Sequence, residues 1–222
     1  MDTPTPLTVV ELRRYRTQPG RRDELIALFE REFIESQEAA GMRLPGLFRE
    51  PAEPDRFTWL RAFADMPSRP AGLNAFYSGP VWQAFRNAAN ATIADSDDVL
   101  LLRPSPGLPA LAAAERAMPP RPWRAIVLPL AEPAGPGLRD HVAAHWLPAL
   151  RQAGAQDLAV LETEPAENNF ARLPVRTDGP VLLLLAAWPT DQPVPGLPAL
   201  ARWLRAEPLV LTLEPTARSQ RA

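Results

Sequence analysis

The order strand, helix, strand, strand, helix, strand can be read twice along this chain of 222 residues. The first copy spans residues 9–104 and the second 123–214. Each copy is an α+β unit in which helices cover one face of an antiparallel sheet and leave the other face bare. A unit of under a hundred residues buries only a modest core, so its bare sheet face needs a partner. The second copy is the nearest one available. Two such sheets packed face to face can close into a barrel.

In the first copy Thr8–Thr17 reads as a strand, with Val9, Val10, Leu12 and Tyr15 interleaved with arginines. Gln18-Pro19-Gly20 is a turn. Asp23 and Glu24 then suit the first turn of a helix, whose macrodipole favours negative charge there. Leu25, Ile26, Phe29, Phe33 and Ala40 form its apolar stripe, and Gly41 ends it. Arg43–Glu50 and Phe57–Phe63 read as a hairpin around Pro51 to Asp55. Ser68–Phe76 is a short helix broken at Gly79. Pro80 opens the next helix, Val81–Ile93, from a first position that needs no N–H. Ser96-Asp97-Asp98 is a turn before the strand Val99–Leu102.

A proline-rich linker, 105–122, follows, with room for one or two helical turns at Ala110–Ala117. The second copy begins with the strand Trp123–Leu130. A helix is predicted over Leu138–Ala153, kinked or cut short by Pro148. Ala155–Glu162 and Val181–Trp188 are strands, the latter continuously apolar, and Glu164–Pro180 is a long polar loop. Leu197–Ala206 reads as a helix and Leu209–Leu213 as the closing strand. Trp146, Trp188 and Trp203 are read as packing or interface aromatics.

Composition removes several chemistries. All 24 basic residues are arginine, so a Schiff-base lysine or a phosphate-loop lysine is excluded. Without cysteine there are no disulfides, thiol nucleophiles or cysteine-ligated metals. The net charge of −2 and the mixing of arginines with acids argue against nucleic acid as a partner. The apolar run at Val181–Trp188 is far too short to span a bilayer, so no membrane partner is expected. The start, MDTPTPLTVVELRRY, lacks the basic and apolar regions of a signal peptide, and a cytoplasmic location is expected.

Candidate site residues fall in three groups. The stretch Asn74 to Trp82, with Arg86 and Asn90, is the densest in polar and aromatic side chains. Helical spacing places Trp82, Arg86 and Asn90 on one side. With Tyr77 they can line a cavity whose aromatic walls and few polar groups suit a small hydrophobic or anionic organic ligand. Arg86 can grip a carboxylate with two parallel hydrogen bonds. The competing reading of this stretch is helix packing. Tyr15 is either a core tyrosine or a phenol for proton transfer, and Arg61 either a surface cross-strand partner or a side chain pointing into the cavity. His141 and His145, the only histidines, share a helix face at metal-ligand spacing. The segment HVAAH lacks the glutamate of the zinc-protease pattern and a third ligand, so no metal is assigned. They are read as structural or interface histidines or, if catalysis occurs in the second copy, as its most credible proton carriers at neutral pH. Asp95, Asp97 and Asp98 are read as an Asp-rich turn rather than a cation site.

Five stretches of the first copy carry a resemblance: VELRRYRTQPGRRDELIALFE (Val10–Glu30), AGMRLPGLFRE (Ala40–Glu50), PDRFTWLRAFADM (Pro54–Met66), AFYSGPVWQAFRNAANATI (Ala75–Ile93) and DSDDVLLLRP (Asp95–Pro104). In order and spacing they resemble the NIPSNAP family of the dimeric α/β-barrel superfamily. The second copy resembles it only in outline. The resemblance implies tandem ferredoxin-like units, 8–104 and 123–215, whose antiparallel sheets pair into an α/β barrel. It also implies a superfamily that includes cofactor-independent monooxygenases, cyclases, decarboxylases and isomerases. Two function classes follow: an enzyme without a tightly bound cofactor, or a non-catalytic binding or scaffold protein. Haem binding through a histidine is a third. A chain that has internalised one pairing is expected to be a monomer or a homodimer.

Overall fold

The computed structural model describes residues 7–111, 121–188 and 193–220. Nine strands are present among them: β1 (Val9–Thr17), β2 (Arg43–Arg49), β3 (Arg56–Phe63), β4 (Ile93–Asp95), β5 (Val99–Pro104), β6 (Trp123–Pro129), β7 (Gln156–Thr163), β8 (Val181–Ala187) and β9 (Leu209–Pro215). Eight of them close an antiparallel barrel in the order β1-β3-β2-β9-β6-β8-β7-β5 and back to β1. The short β4 pairs with the end of β1. The first half contributes β5-β1-β3-β2 and the second β9-β6-β8-β7, the same order of corresponding strands. The halves join where β2 meets β9 and β5 meets β7.

The alternation of strand side chains sorts residues between two cores. On β1 and β3 the pairs Val10↔Ala62 and Leu12↔Leu60 face the barrel interior. They meet Trp123, Leu161, Leu183, Leu185, Leu213 and their neighbours in one apolar core. The pairs Val9↔Phe63, Glu11↔Arg61, Arg13↔Trp59 and Tyr15↔Phe57 lie on the outer face, which helices cover. In the second half the outer face of β6 and β8 carries Ile126, Leu128, Leu182, Leu184 and Ala186. The outer layer of the second half is mostly hydrocarbon, with Arg124 and Glu162 as buried charges, whereas that of the first half sets a cluster of four buried charged residues among its apolar and aromatic side chains.

The first helix, α1, covers residues 22–39. It is α-helical at Arg22–Leu28 and Ile34–Ala39, with a π-helical turn at Phe29–Phe33 between them. The turn brings the Phe29 and Phe33 rings edge to face at 5.8 Å over β3. Helices α2 (Ser68–Ser78) and α3 (Pro80–Thr92) follow, separated by extended Gly79, where a Cβ would lie 2.9 Å from the Ala75 carbonyl oxygen. In the second half α4 covers residues 136–152 and also holds a π-helical turn, Val142–Trp146. Pro148 neither ends nor replaces this helix. It sits just after the π-helical turn, where the hydrogen-bond ladder is already loosened and the ring meets less resistance.

Two expectations change. The stretch predicted as the helix Leu197–Ala206 is a 3-10 turn, Leu197–Trp203, entered through Gly196 in the left-handed region at φ 75 and constrained by Pro198. Strand β4 escaped the sequence because its three residues continue an apparently helical run. Trp146 and Trp188 are packing residues, buried, with their indole N–H groups donating to the Pro195 and Ala153 carbonyls at 2.9 and 2.8 Å. The helical turns expected at Ala110–Ala117 fall almost wholly outside the described residues, as does most of the N-terminal arm.

One glycine sits beside a bulge in β2. Between Arg43↔Ala62 and Gly46↔Leu60 strand β2 has one extra residue, a bulge that tolerates Pro45 and its missing N–H. The ring of Phe48, inside the barrel, folds back over Gly46, and a Cβ there would overlap the ring edge. Gly46→Ala is expected to cost about 1–3 kcal/mol through this overpacking, measured as a lowered urea midpoint at unchanged m-value.

Candidate functional site

The outer face of β1 and β3 buries one carboxylate among three guanidinium groups. Glu11 Oε2 accepts hydrogen bonds from Arg13 Nη1 at 2.8 Å and from Arg61 Nε and Nη2 at 2.9 and 2.6 Å. Glu11 Oε1 accepts one from Arg69 Nε at 2.8 Å. Arg69 Nη2 stands 2.7 Å from the same oxygen without hydrogen-bond geometry. All four residues are at most 1% exposed. Strand pairing sets Glu11 opposite Arg61, Arg13 is two residues along the same face, and α2 delivers Arg69 from above. The cations lie against aromatic rings: Arg13 and Arg61 5.5 and 5.3 Å from the Trp59 ring centre, and Arg69 5.8 Å from that of Phe63.

Three cations face one anion, so among the described residues two positive charges of the cluster have no carboxylate of their own. Burial pushes the Glu11 pKa upward, but Arg61, Arg13 and Arg69 together outweigh it and hold the carboxyl at about 2. Glu11 is therefore a fixed anion and no proton acceptor at neutral pH. Burial pushes the Arg69 pKa down, and Glu11 offsets this only in part. The Tyr15 pKa is raised by burial, against the pull of Arg13, so its phenol stays protonated at neutral pH.

Beside this cluster is a cavity of about 130 Å³, comparable to one that holds a benzene-sized molecule. Tyr15, Phe29, Phe33, Trp59, Phe76, Tyr77 and Trp82 wall it, with Gln37, Asn90 and Ser96 as polar members. Tyr77 and Trp82 meet edge to face at 4.9 Å. Arg13 Nε donates to the Tyr15 hydroxyl at 3.1 Å, and Arg61 Nη1 donates to the Tyr77 hydroxyl and to Gln37 Oε1, both at 3.5 Å. Those three side chains connect the charged cluster to the cavity wall. Trp59, another wall residue, keeps its indole Nε1 buried without an acceptor.

The second half reaches into this site. Its loop from Glu164 to Pro180 is tied to β5 at two points, Glu164 N–H to the Leu101 carbonyl at 3.0 Å and Arg176 N–H to that of Val99 at 2.8 Å. Between them Asn168 Oδ1 and Asn169 Oδ1 each accept from Arg69 Nη1 at 2.9 Å. Phe170 stacks on Tyr77 with ring centres 6.3 Å apart, and Leu173 completes the cavity wall.

Of the residues singled out in the sequence, Tyr15, Tyr77, Trp82 and Asn90 line the cavity. Arg61 is fully buried beside it, not at the surface. Asn74 and Arg86 are exposed and do not line it. His141 and His145 lie together on α4 in the other half, ring centres 4.9 Å apart, with His145 exposed and His141 against Trp203 at 5.0 Å. Partial burial and the neighbouring His145 and Arg202 push the His141 pKa down. Among the described residues no cluster of three metal-ligating side chains exists. In the Asp-rich turn, Asp97 N–H donates to Asp95 Oδ1 at 2.9 Å, and Asp98 accepts from Arg14 and Arg176. Sequence reasoning missed Glu11, Arg13, Arg69 and Trp59. The available signal was period two: Glu11, Arg13 and Tyr15 alternate with buried Val10 and Leu12, so a strand covered on both faces must bury them.

The Glu11 cluster makes a pH-dependent contribution with a definite sign. The folded pKa of about 2 lies below the ordinary 4.5, so the stabilisation is complete above the ordinary value and is lost as pH falls toward the folded one. Glu11→Gln strands three buried guanidiniums and is expected to cost about 3–5 kcal/mol at pH 7. Urea titrations from neutral pH into strong acid should show the variant's stability falling less steeply than that of the parent below the ordinary carboxyl pKa.

No curated protein is significantly similar to the chain. An uncharacterised NIPSNAP-domain protein from Burkholderia xenovorans is 22% identical over 46% of this chain and 98% of its own length, with a TM-score of 0.42. Among the structures that match nearly the whole chain in fold are two provisionally named monooxygenases. One, from Fusobacterium nucleatum, has a TM-score of 0.61 at 5% identity and covers 94% of this chain and 92% of its own. The other, from Lactobacillus acidophilus, has a TM-score of 0.55 at 13% identity and covers 94% and 93%. The NIPSNAP family model matches residues 10–108. That half, which supplies the buried cluster and most of the cavity wall, is the part of the chain that matches the NIPSNAP family.

Proposed function

We propose that this NIPSNAP half binds a small organic compound of about one ring. The compound carries an oxygen that bears or acquires negative charge, and the protein acts on it as an enzyme without a tightly bound cofactor. The observation that carries the reading is the pair of uncompensated buried positive charges beside an aromatic cavity. Unpaired buried charge is costly, and an anionic ligand nearby repays that cost. The aromatic walls supply shape and apolar burial, while the guanidiniums act through Tyr15, Tyr77 and Gln37. Such a site stabilises charge that develops on oxygen, the common requirement of cofactor-free oxygenation, enol-forming rearrangement and cyclisation. The monooxygenase names of two fold relatives fit the first of these, although that likeness is of fold alone.

We read the barrel as two ferredoxin-like units fused in tandem, 8–104 and 123–215, with 105–122 as linker. On this reading the first unit keeps the site, and the second closes the barrel and lends the loop Glu164 to Pro180. Among the described residues no helix is long and apolar enough to cross a membrane.

A second reading, binding without catalysis, is favoured by the absence of a proton acceptor among the described wall residues: Glu11 is locked as an anion, and the histidines stand elsewhere. Haem does not fit. The cavity is far smaller than a porphyrin, and neither histidine opens onto it.

Calorimetry with matched one-ring ligands tests the proposal. Benzoates and phenols are expected to bind at least about tenfold more tightly than neutral isosteres, as one added charged hydrogen bond requires. Trp82→Ala should weaken all of them. Equal affinity for neutral and anionic members would sink the electrostatic reading, and oxygen consumption or product formation separates enzyme from binder.

A further inference from the structure

The two tyrosines that link the arginine cluster to the cavity have a hydrogen-bond pattern with a consequence for ligand chemistry. A phenol hydroxyl has one hydrogen to donate and lone pairs to accept with. The Tyr15 hydroxyl accepts from Arg13 Nε at 3.1 Å, and the Tyr77 hydroxyl accepts from Arg61 Nη1 at 3.5 Å. Among the described residues neither hydroxyl donates to a protein acceptor. Both side chains line the same cavity, so both phenolic hydrogens are available to whatever occupies it. The cations behind them polarise the O–H groups and sharpen them as donors. A buried, acceptorless indole N–H on Trp59, in the same wall, adds a further unmet demand for an acceptor. No carboxylate except Glu11 belongs to the cluster, and its oxygens are taken by Arg13, Arg61 and Arg69.

We infer that Tyr15 and Tyr77 form an oxyanion hole, which takes up the oxygen of a single-ring phenol or a cyclic enol of similar size and binds it as the anion. The inference rests on the proposed small-molecule site and names its ligand class. Arg13 and Arg61 are positioning residues: by donating to the phenols they commit the phenolic hydrogens to the ligand. The ligand's own proton passes to solvent on binding, one per molecule bound below its pKa, and no covalent step is involved. An electron-rich anion of this kind, held away from bulk water, is the form of substrate on which cofactor-free chemistry depends.

A nitrophenol is a suitable probe, because its anion absorbs in the visible and its neutral form does not. The full chain is mixed with 4-nitrophenol at a pH below the compound's own pKa, and binding is followed separately by tryptophan fluorescence. The bound compound is expected to show the phenolate band, with release of one proton. Tyr15→Phe and Tyr77→Phe each remove one hydrogen bond to a charged oxygen and should weaken phenolate binding about ten- to a hundredfold. Circular dichroism checks that both variants remain folded, and proton release by the parent protein provides a test that needs no variant. Arg13→Lys keeps the charge but not the N–H that Tyr15 accepts, and should shift bound nitrophenol back toward its neutral spectrum. Arg86→Ala, at an exposed position, should change nothing. Nitrophenol that binds but stays neutral overturns the oxyanion hole while leaving the small-molecule site intact. So does phenolate binding that is unaffected by both tyrosine variants. Failure of every one-ring ligand to bind overturns both.

Discussion

The outer layer of the first half is organised around one buried carboxylate. Glu11 gathers three guanidiniums from two strands and a helix, and each of them then extends its remaining donors outward. Arg13 reaches Tyr15, Arg61 reaches Tyr77 and Gln37, and Arg69 reaches Asn168 and Asn169. The carboxylate thus fixes the cavity wall on one side and the covering loop on the other. Because a lone buried anion or cation is expensive, the arrangement is all or none. The aromatic rings against the guanidiniums keep the cluster dry and its interactions strong.

The two halves share a strand order and a π-helical turn in the first helix, yet they spend their outer layers differently. Aliphatic side chains with Trp146 and Trp188 dominate the layer over β6 and β8, while a four-residue charged cluster and a larger set of aromatic rings share the layer over β1 and β3 with aliphatic residues. Filling one layer with hydrocarbon stabilises the barrel and leaves the other free to carry groups that are costly to bury. The long loop before β8 then uses the filled half to cover the open one. Fold and site are in this sense one construction: the seams β2–β9 and β5–β7 hold the second half where its loop can meet Arg69 and Tyr77.

Much of the fold was legible because strand and helix periods are local. The hairpin β2–β3, the Pro80 start of α3 and the doubly buried β8 follow from spacing and turn residues. The 3-10 turn at Leu197 and the passage of α4 through Pro148 were not legible, since prolines there act through hydrogen-bond geometry that a residue pattern does not report. Within the site Tyr77, Trp82 and Asn90 could be found as a cluster on neighbouring turns. Arg86 shares their spacing, yet the helix turns it to water. The histidine pair was read for its chemistry, and its position in the other half was not readable from spacing.

The sequence by itself determined the repeat, the family resemblance of the first copy, and the exclusion of lysine and cysteine chemistry, because these depend on residue identity and order. Only the tertiary structure decided that Glu11, Arg13, Arg61 and Arg69 form one buried cluster, and that a loop from the second half covers it. Those contacts join residues up to a hundred positions apart. Their charges balance only in three dimensions, where strand pairing and helix packing set which groups share a layer out of reach of water.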